Sequence, residues 1–240
     1  MNGIESTMTA ARVWDLGDDR FVYGDVNSVL GVNLLNEEEW LQFQDFWNTL
    51  EVDKYMNDGG KYRYRRFGRF KYFAEDDRLQ PQPYGPYTQP TYFNPLNGGV
   101  NRFFGPLTEP MINSKVVTRL LKELGRVYSE LEDVPMWKIN TYFNRIYAAH
   151  AEVGKPVPEG MHRDGVKFSC LFMANMFGFT GGETSLYDLV EKQPIFKGRL
   201  AEPGDILLFR DDTVFHDTTP ILPTEPDVPG YRDLLVIEFR

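Results

Sequence analysis

The stretch PGDILLFRDDTVFHDTTP, residues 203–220, decides the fold of this 240-residue chain. Pro203-Gly204-Asp205 is a turn signal, and the apolar run 206–209 after it has the length of a strand. After a short gap, β-branched and aromatic residues surround His216, which is typical of a second strand. Two short apolar segments separated by turn residues therefore predict a sheet built from short strands.

The same pattern extends through the C-terminal half, and helical patterns precede it. Asn36 followed by Glu39 predicts a capped helix through Trp47, and a second helix is expected from near Ser114 to about Leu131. Short strands are predicted at 139–149, 167–179, 184–189, 205–209, 214–218 and 234–239. Several short strands after helices predict an α+β fold with a jelly-roll core, a fold that cupins also use, buttressed by N-terminal helices.

Length and composition favour one domain over residues 1–240. Proteins made mainly of strands often reach this length undivided, and a hydrophobic content of 42% supplies a large core. We expect a helical and loop part over 1–135 and a strand core over 136–240.

Charge and cysteine usage predict a cytoplasmic protein that binds neither membrane nor nucleic acid. The start of the chain lacks the basic and apolar regions of a signal peptide, and no apolar run reaches the roughly 18 residues of a membrane span. The single cysteine, Cys170, fits a reducing compartment, and we expect it to be a buried strand residue. A net charge of −9 argues against nucleic acid as a partner. The oligomeric state is not predicted.

His162, Asp164 and His216 form a candidate metal site. Two imidazoles and one carboxylate on one face of a metal leave several coordination positions open, as a non-haem Fe(II) oxygenase requires. A lone histidine on an apolar strand is more often a hydrogen-bonded core residue. The combination of an H-x-D motif, a turn and strand carrying a histidine, and a later arginine favours the metal site.

That arginine is Arg232. Fifteen residues lie between it and His216. It begins the strand-like tail of the chain, and the proline-rich segment 222–230 between the two forces a turn. We expect His216 and Arg232 on two neighbouring antiparallel strands, with both side chains in one cavity. A planar guanidinium there suits a carboxylate because it offers two parallel donors.

The C-terminal half resembles the Fe(II)- and 2-oxoglutarate-dependent dioxygenases, whose core is a double-stranded β-helix. In particular, it is similar to a small bacterial family that includes isoleucine 4-hydroxylase and other free amino-acid hydroxylases. The matching stretches are 161–164, 181–183, 214–220 and 231–236. Two upstream stretches, 63–70 and 98–104, fit family patterns less specifically, so the resemblance spans roughly residues 60 to 240.

The resemblance implies roles for these residues. His162, Asp164 and His216 would bind Fe(II), and Arg232 would hold the distal carboxylate of the cosubstrate 2-oxoglutarate, with a hydroxyl from Thr218 or Thr219. O₂ would be the second cosubstrate. Related halogenases lack the carboxylate ligand, so its retention predicts hydroxylation.

Residues 61–73 contain six basic and six aromatic side chains, which allows three interpretations. Interleaved basic and aromatic residues can bind single-stranded nucleic acid. The segment could also be an amphipathic strand whose arginines pair with acids. We favour a third interpretation, in which one or two of Arg63, Arg65 and Arg69 face the pocket and bind a substrate α-carboxylate, since alternate residues share a strand face.

Other segments give weaker indications. The loop 80–106, rich in proline and glycine, is either a lid or a static surface segment, and its Arg102 is a candidate substrate contact. Glu183 and Asp188 could meet a cationic substrate or be surface acids. His150 is expected in an exposed loop.

These observations predict hydroxylation of an unactivated C–H bond of a free amino acid, coupled to oxidative decarboxylation of 2-oxoglutarate. One alternative is the same chemistry on a peptide- or carrier-bound residue. Another is a non-catalytic, cupin-like sensor that binds metal and 2-oxoglutarate, although a mere metal binder has no need of Arg232. A zinc hydrolase ranks last because no general base is evident.

Overall fold

The computed structural model describes residues 13–17, 19–31, 33, 37–93, 98–150 and 152–240. The predicted helix cap Asn36 lies outside these ranges. The described helices are α1 (Val26–Leu30), α2 (Glu37–Asp45), α3 (Glu109–Ile112) and α4 (Lys115–Glu132), with 3₁₀ turns at Val13–Gly17 and Phe46–Thr49.

Strands make up most of the described chain. They are β1 (Phe21–Asp25), β2 (Glu51–Val52), β3 (Arg63–Phe73), β4 (Arg78–Pro81), β5 (Gly105–Pro106), β6 (Met136–Ala148), β7 (Phe168–Phe177), β8 (Phe179–Gly181), β9 (Thr184–Asp188), β10 (Pro194–Gly198), β11 (Asp205–Arg210), β12 (Val214–Thr218), β13 (Ile221–Pro223) and β14 (Gly230–Phe239).

Two layers of strands form the jelly-roll. The major sheet has the order β1-β11-β7-β14-β6-β3-β2, with β4 and β5 also paired to β3. Smaller sheets of order β10-β9-β12 and β13-β8 form the second layer. An apolar cluster joins the layers, because Leu171, Leu207 and Leu234 of the major sheet pack with Leu186 and Val214 of the smaller one.

The outer face of the major sheet carries α4, as the sequence predicts. Ser114 caps the helix by accepting a hydrogen bond from the backbone N–H of Val117, and Asp133 ends it in the left-handed conformation. Its buried side packs against the sheet so closely that a Cβ on Gly125 would lie 2.5 Å from the Tyr72 ring. Glycine is therefore required at this contact.

The predicted strands are found with their ends shifted by a few residues, and 214–218 coincides with β12. The part over 1–135, expected as helix and loop, also contains strands β1 to β5. Strand β3 lies between β6 and β2 in the major sheet, and β1 is an edge strand of the same sheet. Both faces of β3 are partly buried, one through Arg63, Arg65 and Phe67 and the other through Phe70 and Tyr72.

In the described ranges, no helix is both long and apolar enough to cross a membrane.

Candidate active site

The structure brings His162, Asp164 and His216 together between the two layers. One ligand atom from each lies within 4.8 Å of the others. Nε2 of His162 is 3.5 Å from Asp164 Oδ1, and Nε2 of His216 is 3.4 Å from Asp164 Oδ2. Three donors around one small space form the facial arrangement that leaves coordination positions open on a metal.

The backbone fixes both histidines. The N–H of His162 donates to the carbonyl of His216 at 3.0 Å, and the reverse bond measures 2.9 Å. Nδ1 of His162 lies 3.0 Å from the carbonyl of Gly160, which occupies that nitrogen and turns Nε2 inward. Nε2 of His216 is buried and has no hydrogen-bond partner among the described residues.

Asp211 shapes the loop that carries Asp164. Its buried carboxylate accepts hydrogen bonds from three successive backbone N–H groups, those of Asp164, Gly165 and Val166, at 2.9, 2.9 and 3.1 Å. Ser169 Oγ donates to Asp164 Oδ2 at 3.2 Å and orients the carboxylate itself. The metal-binding loop is thus preorganised by side chains outside the triad.

The charges of the triad are strongly coupled. Burial opposes ionisation of Asp164, yet the neighbouring His216 and His162 imidazoles hold the pKa of its carboxyl well below the usual range. Burial likewise opposes a charge on His162, but the hydrogen bond and charge of Asp164 raise the pKa of His162 to about 9. Without a metal, a proton therefore takes the place of the cation in this site.

Arg232 lies in the same cavity, but not on a strand that neighbours the strand of His216. The expectation of adjacent strands is wrong. Strand β12 pairs with β9 in the small sheet, whereas β14 pairs with β6 and β7 in the major sheet. The two side chains line one cavity because the layers face each other. Spacing along the chain does not distinguish facing strands from paired ones.

The guanidinium of Arg232 is buried, and no acidic side chain in the described ranges forms an ion pair with it. Its Nε and Nη2 have no hydrogen-bond partner among the described residues. Burial and the nearby Arg199 charge lower its pKa to about 10, so it remains cationic at neutral pH. Gly182 adopts φ +71°, and a Cβ there would lie 3.6 Å from Arg232 Cδ. Two unpaired buried donors form a site that an anion completes.

Of the two candidate threonines, Thr218 faces the cavity. It is buried, and its hydroxyl lies 3.0 Å from that of Thr184. Thr219 is exposed, and its hydroxyl accepts the backbone N–H of Glu183. Thr218 is therefore the threonine available to a molecule bound beside Arg232.

The cavity, about 880 Å³ including its open mouth, also contains three further arginines. Arg63 Nε donates to Asp53 Oδ2 at 2.8 Å, and Arg65 Nε lies 3.1 Å from the same oxygen. Arg102 stacks on the Tyr87 ring at 4.7 Å. Neither Arg65 Nε nor Arg102 Nε has a hydrogen-bond partner within the described segments.

Arg69 does not belong to this group, and its predicted role is wrong. It occupies the strand face shared by Arg63 and Arg65, but further along β3, beyond the end of the cavity. Its Nη2 donates to the carbonyl of Pro83 at 2.8 Å, and the side chain lines separate surface depressions. The correct face of a strand is therefore not sufficient, because the cavity covers only part of the strand.

The described part of the loop 80–106 contacts both the cavity and the metal-binding loop. The backbones of Tyr87 and Arg102 pair through two N–H to carbonyl hydrogen bonds, each 2.9 Å long. Gln89 is buried, and its Nε2 donates to the backbone carbonyl of Asp164 at 3.0 Å. Its Oε1 accepts from Arg102 Nη2 at 3.4 Å. A substrate-binding candidate and a metal ligand are thus joined through one amide.

The remaining candidates lie away from the cavity. Glu183 pairs with Lys197, and Asp188 pairs with Arg20, so both are surface acids. His150 is exposed in a turn. Cys170 is buried, as expected, and burial raises the pKa of its thiol.

The sequence analysis did not predict six other polar residues of the cavity: Tyr87, Gln89, Tyr142, Asn144, Glu159 and Glu238. Glu238 had a usable signal, because Arg232, Leu234, Val236 and Glu238 alternate along one strand and therefore share a face. Tyr142 and Asn144 follow the same rule on β6.

The comparisons agree with this geometry. The family model for 2OG-Fe dioxygenases matches residues 44–238. This chain is a 2OG-Fe dioxygenase. This chain is similar to a bsmA homologue from Methylobium petroleophilum PM1, whose crystal structure is known. The two sequences are 34% identical, and the structures superpose with a TM-score of 0.84 over 94% of this chain and 90% of that one. A search of curated proteins found no match.

Two more distant structures share the fold. IDO from Bacillus thuringiensis is 18% identical, with a TM-score of 0.77 over 100% of this chain and 96% of that one. The Fe(II)/α-ketoglutarate-dependent dioxygenase TqaL is 15% identical, with a TM-score of 0.75 over 94% of this chain and 84% of that one.

The residues of the cavity fit the cofactors of the family. The dioxygenase uses Fe(II), 2-oxoglutarate and O₂. His162, Asp164 and His216 provide the nitrogen and oxygen donors that suit Fe(II), and the open donor of His216 faces the metal position. The unpaired guanidinium of Arg232 fits the distal carboxylate of 2-oxoglutarate.

Proposed function

We propose that this dioxygenase couples oxidative decarboxylation of 2-oxoglutarate to hydroxylation of an unactivated C–H bond of a free amino acid. The observation that supports this substrate is the pair Arg65 and Arg102, two buried guanidinium groups of the cavity that contains the triad. The Nε atoms of both lack a hydrogen-bond partner in the described segments, and Arg65 shares the charge of Asp53 with Arg63. Arg65 and Arg102 are separate from Arg232, which 2-oxoglutarate occupies in our assignment. A second carboxylate is therefore expected, and a free amino acid carries one.

The charges near these arginines support an anionic ligand. Arg63 and Arg65 share the single carboxylate of Asp53, and Arg102 has no acidic partner within 4.0 Å in the described segments. Although burial opposes ionisation, the charges of Arg65 and Arg63 lower the pKa of Asp53, so it is ionised at neutral pH. Positive charge remains in excess, and a carboxylate would offset the cost of burying it.

When bound, iron and 2-oxoglutarate supply the oxidising power of the reaction. The residues of this chain supply position. In this proposal, Arg65 and Arg102 hold the substrate carboxylate through charge-assisted hydrogen bonds and so direct one C–H bond toward the metal position. Leu171, Leu234 and Val236 line the cavity and exclude water from it.

The retained carboxylate of Asp164 supports hydroxylation as the outcome. Together with His162 and His216 it provides three protein donors, and Ser169 and Asp211 hold it in place. No protein position is left empty for an external anion such as halide. Tyr87, Gln89 and Arg102, from the described part of the loop 80–106, line the cavity, and Gln89 bonds to the metal-binding loop. This lining supports a small substrate over a chain-bound one.

Succinate formation tests the proposal. Protein purified anaerobically and loaded with Fe(II) is given 2-oxoglutarate, air and each proteinogenic amino acid in turn. At least one amino acid should stimulate succinate formation, and Arg65→Leu should weaken that stimulation by raising the KM for the amino acid. Arg69→Leu is the matched control, because it removes an arginine from the same strand face outside the cavity and should leave stimulation intact.

Stimulation by peptides or carrier-bound residues, with none by free amino acids, would replace the proposed substrate class. Equal effects of Arg65→Leu and Arg69→Leu would contradict the assignment of the carboxylate site.

A further inference from the structure

Glu238 is a buried acid in the cavity wall to which the assignments above give no task. It lies on the same face of β14 as Arg232, Leu234 and Val236, which all line the cavity. Its backbone pairs with Asn140 of β6 on one side and Ser169 of β7 on the other. Only 4% of its surface is exposed.

Two neighbours fix the carboxyl group from one side. Asn140 Nδ2 and the Tyr142 hydroxyl both donate to Oε2 of Glu238, at 2.8 and 2.9 Å. Oε1 receives neither bond, and Glu238 is one of the residues that line the cavity. No lysine, arginine or histidine in the described ranges lies within ion-pair distance of Glu238. The two donors hold the acid in a single orientation without neutralising it.

Burying an ionised carboxylate without a cation costs free energy, and the pKa of Glu238 reflects this cost. Burial, with a contribution from the charge of Asp164, raises the pKa of Glu238 to about 8. A cation placed against Oε1 would remove the cost and restore the ionised form. The metal triad does not include Glu238, so the cation is not the iron of that site.

Two tyrosines connect this acid to the proposed carboxylate site. The rings of Tyr142 and Tyr87 lie 5.4 Å apart, centroid to centroid. The guanidinium of Arg102 in turn lies over the Tyr87 ring, 4.7 Å from its centroid. One wall of the cavity therefore carries guanidinium groups, and an adjoining wall carries a carboxyl group. A zwitterion matches both.

We propose that Glu238, oriented by Tyr142 and Asn140, binds an ammonium group of the substrate. This deepens the proposed function and rests on it. The ammonium has two possible sources, the α-amino group of an amino acid or a cationic side chain. Glu238 takes the part that the sequence suggested for Glu183 or Asp188, which lie on the surface.

The test compares substrates with and without the ammonium group. Two pairs of probes are compared. The first pair is the proteinogenic amino acid that stimulates most and its 2-hydroxy-acid analogue, which lacks the α-ammonium. The second pair is lysine and norleucine, which lacks the side-chain charge. Binding of each probe to the anaerobic complex with Mn(II) and 2-oxoglutarate is measured by calorimetry, alongside KM and kcat for the Fe(II) enzyme. Wild type, Glu238→Gln and Tyr142→Phe are compared, and thermal unfolding confirms that each variant folds.

A charge-assisted hydrogen bond contributes about 1.5–3 kcal/mol, so Glu238→Gln should weaken binding of the ammonium-bearing probe roughly 10- to 150-fold. Binding of the probe that lacks the relevant ammonium should change little, and the affinity for 2-oxoglutarate should be retained. Tyr142→Phe should weaken the same probe by a smaller factor, because it only loosens the orientation of the acid.

Equal weakening of both probes by Glu238→Gln would show a structural role and overturn the ammonium site while leaving the proposed function standing. An unchanged Kd for the ammonium-bearing probe would overturn the site as well. If wild type binds and turns over none of the amino acids, both the proposed function and the ammonium site are wrong.

Discussion

Replacing Arg232 with methionine should have opposite effects on stability and on cosubstrate binding. Methionine keeps an unbranched stem of similar length but removes the guanidinium. In the ligand-free protein, Nε and Nη2 of Arg232 have no hydrogen-bond partner among the described residues, and the side chain is only 3% exposed. The free enzyme therefore bears the cost of burying a charge that only the ligand satisfies.

Both magnitudes follow from this arrangement. Leaving a buried donor unsatisfied costs about 1–3 kcal/mol, so Arg232→Met should stabilise the ligand-free protein by this order. For a chain of this size each kcal/mol moves Tm by about 2–4 °C, which predicts a rise of roughly 2–12 °C. Truncating one partner of a buried, hydrogen-bonded charge pair costs about 2–5 kcal/mol. Binding of 2-oxoglutarate should therefore weaken roughly 30- to 4,000-fold.

Thermal unfolding with and without 2-oxoglutarate measures both effects in one experiment. The ligand should raise the Tm of the Mn(II)-loaded wild type and leave that of the variant nearly unchanged at the same concentration. The reasoning would be refuted if Arg232→Met without ligand unfolded at a lower temperature than ligand-free wild type. It would also be refuted if the variant bound 2-oxoglutarate as tightly as wild type does.

Three further predictions concern the rest of the site. Asp211→Asn should weaken metal affinity about 10- to 100-fold, measured by metal titration, because its amide cannot accept all three N–H groups of residues 164–166; unchanged affinity would show that the loop holds its shape unaided. The metal-free protein should lose stability as pH rises from 6.5 to 9, since the folded state holds a proton on His162, whose pKa is raised from 6.5 to about 9. Mn(II) replaces the proton on His162, so thermal scans with Mn(II) should show a smaller loss than scans without it. The part due to Glu238, whose pKa is raised to about 8, should remain in both, and equal losses with and without metal would contradict the assignment. Gly182→Ala should lower Tm more than Gly160→Ala, because both glycines have positive φ (+71° and +73°) but only Gly182 is crowded, with neighbouring side-chain carbons 3.1 Å from its new Cβ; equal losses would mean that backbone strain alone decides.

The sequence was sufficient for the parts of the site that depend on local pattern. His162 and Asp164 are two residues apart, and His216 lies in a strand that can be read from its β-branched and aromatic neighbours. These features, with Arg232 at the start of the last strand, predict four candidate residues that the structure brings to one cavity. The helix capped by Ser114 is equally local.

What the sequence could not provide is the pairing of distant strands. Strands β12 and β14 belong to facing layers, and their order along the chain is the same for facing and for paired strands. The distinction between Arg65 and Arg69 also depends on packing, because both share a face of β3 and only the position of the cavity along the strand separates them. Gln89 contacts the metal-binding loop across a long loop whose path no local pattern specifies.

The most direct test of the account is the stoichiometry of the reaction with the amino acid that best stimulates it. Succinate and a product heavier than that amino acid by one oxygen atom should form in equal amounts, with the oxygen atom derived from O₂. Both should be lost in Asp164→Ala. Succinate formed without any oxygenated amino acid would contradict the central claim, because the enzyme would then consume 2-oxoglutarate without acting on the substrate that we propose.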